Sequence, residues 1–188
     1  MRVIAGSHRG RRLQTVAGRD VRPTADRVKE AMFSMIDSRF TLVGARVLDL
    51  YAGSGALGIE AASRGAAEVV FVDSSAAAVR VLRDNLAACR MEARVLTLPA
   101  ARAVEQLERE ERRFDGVLID PPYASEEARR ILAVLGRSPL LGPGAWLVVE
   151  AEVGWEPDPG TGRIGLISAR RYGKTLVAVY ELGDGCAG

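Results

Sequence analysis

Short apolar strands alternating with amphipathic helices, a glycine-rich turn behind the first core strand, and a closing strand pair with no helix between its members predict an open α/β sheet. The predicted class is a doubly wound, Rossmann-like fold of seven strands, preceded by a basic hairpin and a helix. The 188 residues fit one domain with a single substantial core. Within it we expect an N-terminal hairpin and helix over 1–40, a sheet core over 41–182 and a tail over 183–188.

Arg2–Gly6 and Arg12–Val16 are short extended segments, and Ser7-His8-Arg9-Gly10-Arg11 between them reads as the turn of a hairpin. Pro23-Thr24 opens a helix with Thr24 as its N-cap. Val28, Ala31, Met32, Met35 and Ile36 recur at helical spacing and form its apolar face. From Ala45 the rhythm changes. Arg46–Tyr51 is a strand ending in Ala52-Gly53-Ser54-Gly55-Ala56-Leu57-Gly58, and a helix follows through Arg64. Strand Glu68–Asp73, helix Ala76–Cys89, strand Arg94–Leu98 and helix Ala100–Glu111 come next. Phe114–Asp120 is a strand that enters Pro121-Pro122-Tyr123. A helix over 126–136 precedes the turn Gly142-Pro143-Gly144 and the strand Ala145–Glu150. Strands Ile164–Arg170 and Thr175–Leu182, joined around Tyr172-Gly173, have the spacing of a hairpin.

Charge is unevenly spread. Residues 1–29 carry eight basic side chains against Asp20 and Asp26, a net +6, which leaves −4 for the rest of a chain of net charge +2. A concentrated basic lobe on a weakly acidic body fits either a polyanionic partner or a merely solvated face. Val3-Ile4-Ala5 is too short for a signal-peptide core and no apolar run reaches membrane-spanning length, so a cytoplasmic protein is expected. Cys89 and Cys186 are too few for a disulfide framework and lack metal-ligand spacing, so no metal is expected.

Gly53-x-Gly55-x-x-Gly58 at a strand-to-helix turn lets the backbone approach a ligand and aims helix amides at it. Asp73 ends the next strand 20 residues beyond Gly53, where a carboxylate can hold two ribose hydroxyls. A nicotinamide enzyme would show the same pair. Asp49, on the strand just before the turn, favours a cationic amino-acid ligand and would repel a pyrophosphate, which points to S-adenosylmethionine. The candidate cofactor-binding residues are Asp49, Ala52, Gly53, Ser54, Gly55, Asp73 and Ser74.

Asp120-Pro121-Pro122-Tyr123 follows the apolar strand segment Gly116–Ile119. Ligands of open α/β sheets bind beyond the carboxyl ends of the strands, so this motif falls beside the glycine turn. An exocyclic base amine is a poor nucleophile because its lone pair is delocalised into the ring. Acceptors that hold its N–H groups turn that lone pair toward a methyl donor. The Asp120 carboxylate and the Pro121 carbonyl suit that role, and the adjacent prolines fix their positions in advance. Tyr123 offers a ring for an extruded base, a contact typically worth about 1–3 kcal/mol. The catalytic candidates are therefore Asp120, Pro121, Pro122 and Tyr123.

The tetrapeptide is similar to the signature of amino-group methyltransferases acting on adenine, cytosine or guanine. Three longer stretches narrow the resemblance: Val3–Leu13, Arg22–Phe33, and Arg46–Ala66 with its RVLDLYAGSGALGIEAASRGA run. Together they resemble the bacterial small-subunit ribosomal RNA guanine-N2 methyltransferases of the RsmD type, over Met1 to about Leu182. The resemblance implies a class I S-adenosylmethionine methyltransferase fold, with Asp49, Gly53 and Gly55 at the methionine end of the donor and Asp73 on its ribose. It implies an RNA-gripping hairpin with Arg9, Arg11 and Arg12, and an active-site mouth bordered by Arg22, Thr24 and Arg27. The turn Arg170-Arg171-Tyr172-Gly173-Lys174 also matches the family pattern, adding Arg170, Arg171 and Lys174 to the RNA-binding set. One departure stands out: where many methyltransferases carry an acidic or amide side chain after the third strand, this chain reads Leu98-Pro99-Ala100-Ala101.

The expected reaction is transfer of a methyl group to guanine N2 in small-subunit ribosomal RNA by a monomer, free of metal and of any covalent intermediate. A DNA adenine-N6 methyltransferase, or a nucleic-acid-binding protein that has lost catalysis, is the alternative; a nicotinamide oxidoreductase is more distant. Trp146 and Trp155 are further candidates for base stacking, although Trp146 lies in an apolar strand and reads as core. Asp26 and Arg27 read either as a surface pair or as residues of the entrance, and Glu60 as a helix residue paired to a basic neighbour.

Overall fold

Five parallel strands form the heart of the sheet: β1 (Arg46–Leu50), β2 (Glu68–Val72), β3 (Arg94–Leu96), β4 (Phe114–Ile119) and β5 (Leu141–Glu152). β6 (Gly160–Thr161), β7 (Ile164–Tyr172) and β8 (Thr175–Leu182) extend it in antiparallel pairing, giving the order β3-β2-β1-β4-β5-β8-β7-β6. The computed structural model describes residues 1–16, 23–121 and 124–183. The strand order reverses at β1, as in doubly wound sheets, so the carboxyl ends of β1 and β4 flank the crevice where such folds bind ligands.

Alternating strand residues face opposite helical layers. Leu48, Leu50, Val117, Ile119, Leu147 and Val149 pack against α4 (Ala100–Arg109) and α5 (Ala124–Leu135). Val47, Phe71, Leu118, Trp146 and Val148 face the other way, toward α1 (Pro23–Asp37), α2 (Ala56–Ser63), α3 (Ala76–Ala88) and the N-terminal hairpin. Both layers are apolar because the central strands are covered on both sides, which is why those strands read as continuous hydrophobic runs.

The structure corrects several expectations. An eighth strand, the two-residue β6, joins the expected seven. The helix α1 begins at Pro23, so Thr24 lies inside its first turn and is not the residue before it. Proline suits that first position because its fixed φ is helical and its missing N–H would have had no partner. Phe33 and not Ala31 completes the buried stripe of α1 with Val28, Met32, Met35 and Ile36. Gly142-Pro143-Gly144 lies within β5, in a bulge where Phe114 pairs Leu141 and Gly116 pairs Trp146. Gly144 takes φ 76° there, and Pro143 has no N–H to lose from the ladder.

The hairpin at the N-terminus holds together through an Arg2–Arg12 antiparallel bridge and the bonds Val3 N–H to Arg11 O (2.9 Å) and Gly10 N–H to Val3 O (2.9 Å). It does not join the main sheet. Its anchor is Glu60 on α2, fully buried, whose carboxylate accepts from the backbone N–H of Ile4 (2.8 Å) and Ala5 (3.0 Å) and from Arg64 Nε (2.9 Å). Lys29 of α1, 3% exposed, brings its ammonium to 3.2 Å from the same carboxylate and donates to Arg2 O at 2.6 Å. Gly6 presses so close to α2 that a Cβ would lie 1.7 Å from Ser63 O.

Removing the carboxylate would leave Lys29 buried without its counter-charge and two hairpin amides without acceptors. Glu60→Ala is therefore expected to lose about 3–5 kcal/mol of unfolding free energy in urea denaturation. A loss below about 1 kcal/mol would mean that the anchor is replaceable.

Candidate active site

The glycine turn rises directly from β1 and is shaped by its own hydrogen bonds. Gly55 takes φ 80° before α2 and donates its N–H to Ala52 O at 2.7 Å. A Cβ on Gly55 would meet Leu82 Cδ1 at 2.2 Å, and one on Gly58 would meet Phe71 Cε1 at 2.3 Å and Asp49 Oδ2 at 2.8 Å. The first glycine turn residue, Gly53, donates its N–H to Asp73 Oδ2 at 2.8 Å, while Ser75 N–H donates to Asp73 Oδ1 at 2.8 Å. Each Asp73 oxygen so retains one lone pair for a hydroxyl. Asp73 and Ser74 line a cleft of about 380 Å³ whose far wall is Leu98, Pro99 and Ala100. The stretch without an acidic or amide side chain is thus a wall of the cleft itself.

A second cavity, of about 190 Å³, lies on the other side of Tyr51 and is lined by Asp49, Ala52, Ser54, Lys29, Asp120 and Glu150 among others. All seven cofactor candidates thus line one of these two cavities or bond to a residue that does, Gly53 to Asp73 and Gly55 to Ala52. Asp49 is 1% exposed and accepts from Gly58 N–H at 2.9 Å. Burial pushes its carboxyl up to about 8, the charges of Asp120 and Asp73 add to that, and the Gly58 N–H opposes it. Asp120 follows β4 directly, and Pro121 beside it is buried. Pro122, Tyr123 and Arg22 lie outside the described residues, as does the side chain of Thr24.

Of the basic candidates, Arg9, Arg12, Arg27, Arg170, Arg171 and Lys174 are all exposed. Arg11 is exposed too, but its guanidinium is engaged: it donates to Ala88 O at 2.5 Å, at the C-terminal end of α3. Register places the turn between β7 and β8 on the active-site side of the sheet, since Glu150 pairs Val177 and Glu152 pairs Thr175. Arg27 does not pair with Asp26. Asp26 instead binds the backbone N–H of Arg2 and its side chain, the latter at 3.3 Å. Neither tryptophan is available for stacking on a base: Trp155 is 5% exposed, and Trp146 is 2% exposed and stacked on Phe40 at 6.1 Å between centroids.

Three residues at the site carried little sequence signal. Tyr51 borders both cavities with φ 62°, a left-handed conformation that costs a non-glycine residue about 1–3 kcal/mol. Its hydroxyl donates to Glu127 at 2.7 Å, and burial, reinforced by that carboxylate, holds the phenol proton firmly in place. Asn85 of α3 is 1% exposed and bridges hairpin and glycine turn, donating to Ser54 O (2.8 Å) and Gln14 O (3.0 Å) and accepting from Gln14 N–H (2.8 Å). Lys29 reaches the second cavity from α1, with burial lowering its pKa and Glu60 opposing that shift.

Among the described residues no group of side chains could hold a metal ion, and no helix is long and apolar enough to cross a membrane. Known proteins share this architecture. The family model described as "Conserved hypothetical protein 95" matches residues 1–181. The Bacillus subtilis protein YlbH is 38% identical over 183 residues, 96% of this chain and 98% of that protein. A Haemophilus influenzae protein named "Ribosomal RNA small subunit methyltransferase D" is 34% identical over 155 residues, 81% of this chain and 79% of its own length. The solved structure of yhhF from Escherichia coli superposes with a TM-score of 0.85 at 31% identity, covering 98% of this chain and 99% of that one. With a match along nearly its whole length, the chain belongs to the Conserved hypothetical protein 95 family, that of the small-subunit ribosomal RNA methyltransferases D.

Proposed function

We propose that this protein transfers a methyl group from S-adenosylmethionine to the exocyclic N2 amine of a guanine in small-subunit ribosomal RNA. The observation that carries the reading is that Asp120, at the end of β4, shares one cavity with Asp49 and the glycine turn. The relative named for small-subunit ribosomal RNA supports the substrate class. When bound, the donor supplies an electrophilic methyl carbon on a sulfonium. Asp73 offers its two remaining lone pairs to the ribose hydroxyls, Ser74 and the Leu98–Ala100 wall enclose the adenosine half, and Asp49 faces the cationic half. Asp120 and the Pro121 carbonyl accept the amine's N–H groups and aim its lone pair; Tyr123 and Pro122 complete that loop in sequence. After transfer the surplus proton leaves to solvent or through Asp120.

Residues 1–182 act in this reading as one methyltransferase unit, monomeric and cytoplasmic. The exposed Arg9, Arg12, Arg27, Arg170, Arg171 and Lys174 contact RNA phosphates, with Arg11 doubling as a tie to α3 and Arg22 and Thr24 at the entrance. A ribosomal particle or free RNA serves equally well for that electrostatic grip.

Labelled methyl donor and small ribosomal subunits lacking base methylation are expected to yield N2-methylguanosine. Asp120→Ala should lower that rate by about 10²–10³-fold while donor affinity stays within a few-fold. Label in another base would refute the guanine assignment, and no label in RNA or DNA would leave a binding protein.

Donor affinity should respond to pH through Asp49. A cationic ligand favours the ionised carboxylate, which must release its proton below about 8. Calorimetric titration should therefore show affinity rising from pH 6 to 8, by up to roughly tenfold per unit, and levelling above. Asp49→Asn, which shares every titration belonging to the donor, should lack this component; equal slopes in both proteins would disprove it.

RNA affinity should fall with salt at a log–log slope of roughly −2 to −4, reduced by about one to two on Arg9→Ala plus Arg12→Ala. Binding that ignores salt would remove the basic lobe from the interface.

A further inference from the structure

The carboxylate of Glu150 has no part in the mechanism above, yet it lines the same cavity as Asp49 and Asp120. Its position follows from register. Ile119 pairs Val149 across β4 and β5, so Asp120 and Glu150 are the next residues along two adjacent parallel strands. Such neighbours lie about 4.8 Å apart and project to the same face. Ile119 and Val149 face α4 and α5, hence Asp120 and Glu150 turn to the opposite face, where α1, α2 and the hairpin enclose the cavity. Asp49 lies on that face too, paired with Leu118 one strand to the other side.

Across β1, β4 and β5 the site is thus laid out in a row. The glycine turn and Asp49 stand over β1, the amine-holding Asp120 over β4, and Glu150 over β5. A base whose amine sits at Asp120 and faces β1 can place one of the two ring nitrogens flanking that amine over β5.

We propose that Glu150 is a specificity-determining residue that accepts the N1–H of the target guanine beside the amine held by Asp120. This rests on the guanine-N2 reading of the site. The chemistry discriminates among bases. An ionised carboxylate can only accept hydrogen bonds. Guanine alone carries an N–H next to its exocyclic amine. In adenine and cytosine the ring nitrogen beside the amine presents a lone pair, which a carboxylate repels. A base that lacks the donor sets a second acceptor against the carboxylate, and such a mismatch is what lets polar sites discriminate.

The test uses small-subunit RNA ligated so that the methylated guanine is replaced by 2-aminopurine, which keeps the N2 amine but has a lone pair at N1. Wild-type enzyme should methylate guanine faster than 2-aminopurine by roughly 10- to 100-fold. Glu150→Ala should slow the guanine reaction to within about 3-fold of the 2-aminopurine rate, with donor affinity unchanged as the check on folding. Glu150→Gln, whose amide can accept from N1–H or donate to an N1 lone pair, should give an intermediate ratio. A wild-type preference that survives in Glu150→Ala overturns the assignment of Glu150 while leaving the guanine reading intact. Absence of N2-methylguanosine from the wild-type reaction overturns both.

Discussion

Placing the Glu60 carboxylate out of contact with water costs several kcal/mol unless its lone pairs are filled. Here they are filled by donors from three separate pieces of chain: two backbone amides of the hairpin, the ammonium of Lys29 on α1, and the guanidinium of Arg64 at the end of α2. Neither the hairpin nor α2 is long enough to be stable alone. The hairpin has a single bridge, and α2 spans only Ala56–Ser63, far short of what an isolated helix needs in water. Their common anchor gives the basic segment a fixed place against the sheet.

The same short helix is fixed at its other end by the active site. Gly58 N–H donates to Asp49, and the absence of a side chain at Gly58 is what lets that carboxylate and Phe71 approach. Asn85 adds a second tie, joining Gln14 of the hairpin's exit to the carbonyl of Ser54 in the glycine turn. The lobe with the exposed arginines and the turn proposed to bind the donor therefore share two buried polar connections, each hydrogen-bonded at every polar side-chain atom. Such doubly anchored turns are held in place before a ligand arrives, which is where preorganisation has its effect on rate.

Most of this fold was legible in the sequence because its signals are local: apolar runs of strand length, amphipathic helices, glycines at a turn. Core elements from β1 to α4 lie within a few residues of their expected bounds. What escaped notice depends on contacts distant in sequence. In the sequence Glu60 reads as a helix residue with a basic neighbour, true of Arg64 four residues on, but the hairpin amides lie more than fifty residues away. A charge inside the otherwise small and apolar run Ala56–Ser63 was the available hint. Asn85 gave no comparable sign, since an amide in a helix is ordinarily solvated. Trp155 reads as a candidate for base stacking, yet its side chain belongs to the buried cluster on the α4 and α5 side of the sheet. The β5 bulge leaves no sequence signal of its own, because Gly-Pro-Gly ordinarily ends a strand.

The carboxylates explain why a sheet shared with dinucleotide-binding enzymes suits a different ligand here. Asp49, Asp120 and Glu150 converge on one small cavity, with Asp73 in the adjoining cleft. A pyrophosphate laid across the glycine turn would meet that field at close range in a medium of low polarity, where like charges are most costly. The raised pKa of Asp49 is the same repulsion seen from inside: burial disfavours its charge, and the neighbouring acids disfavour it further. A cationic ligand offsets these terms with an attraction of the opposite sign. It lets Asp49 ionise, screens Asp49 from Asp120, and leaves the outer carboxylates as acceptors for neutral N–H donors. In the proposed function the acids over β1, β4 and β5 divide into one that answers the charge of the donor and two that read the edge of the base.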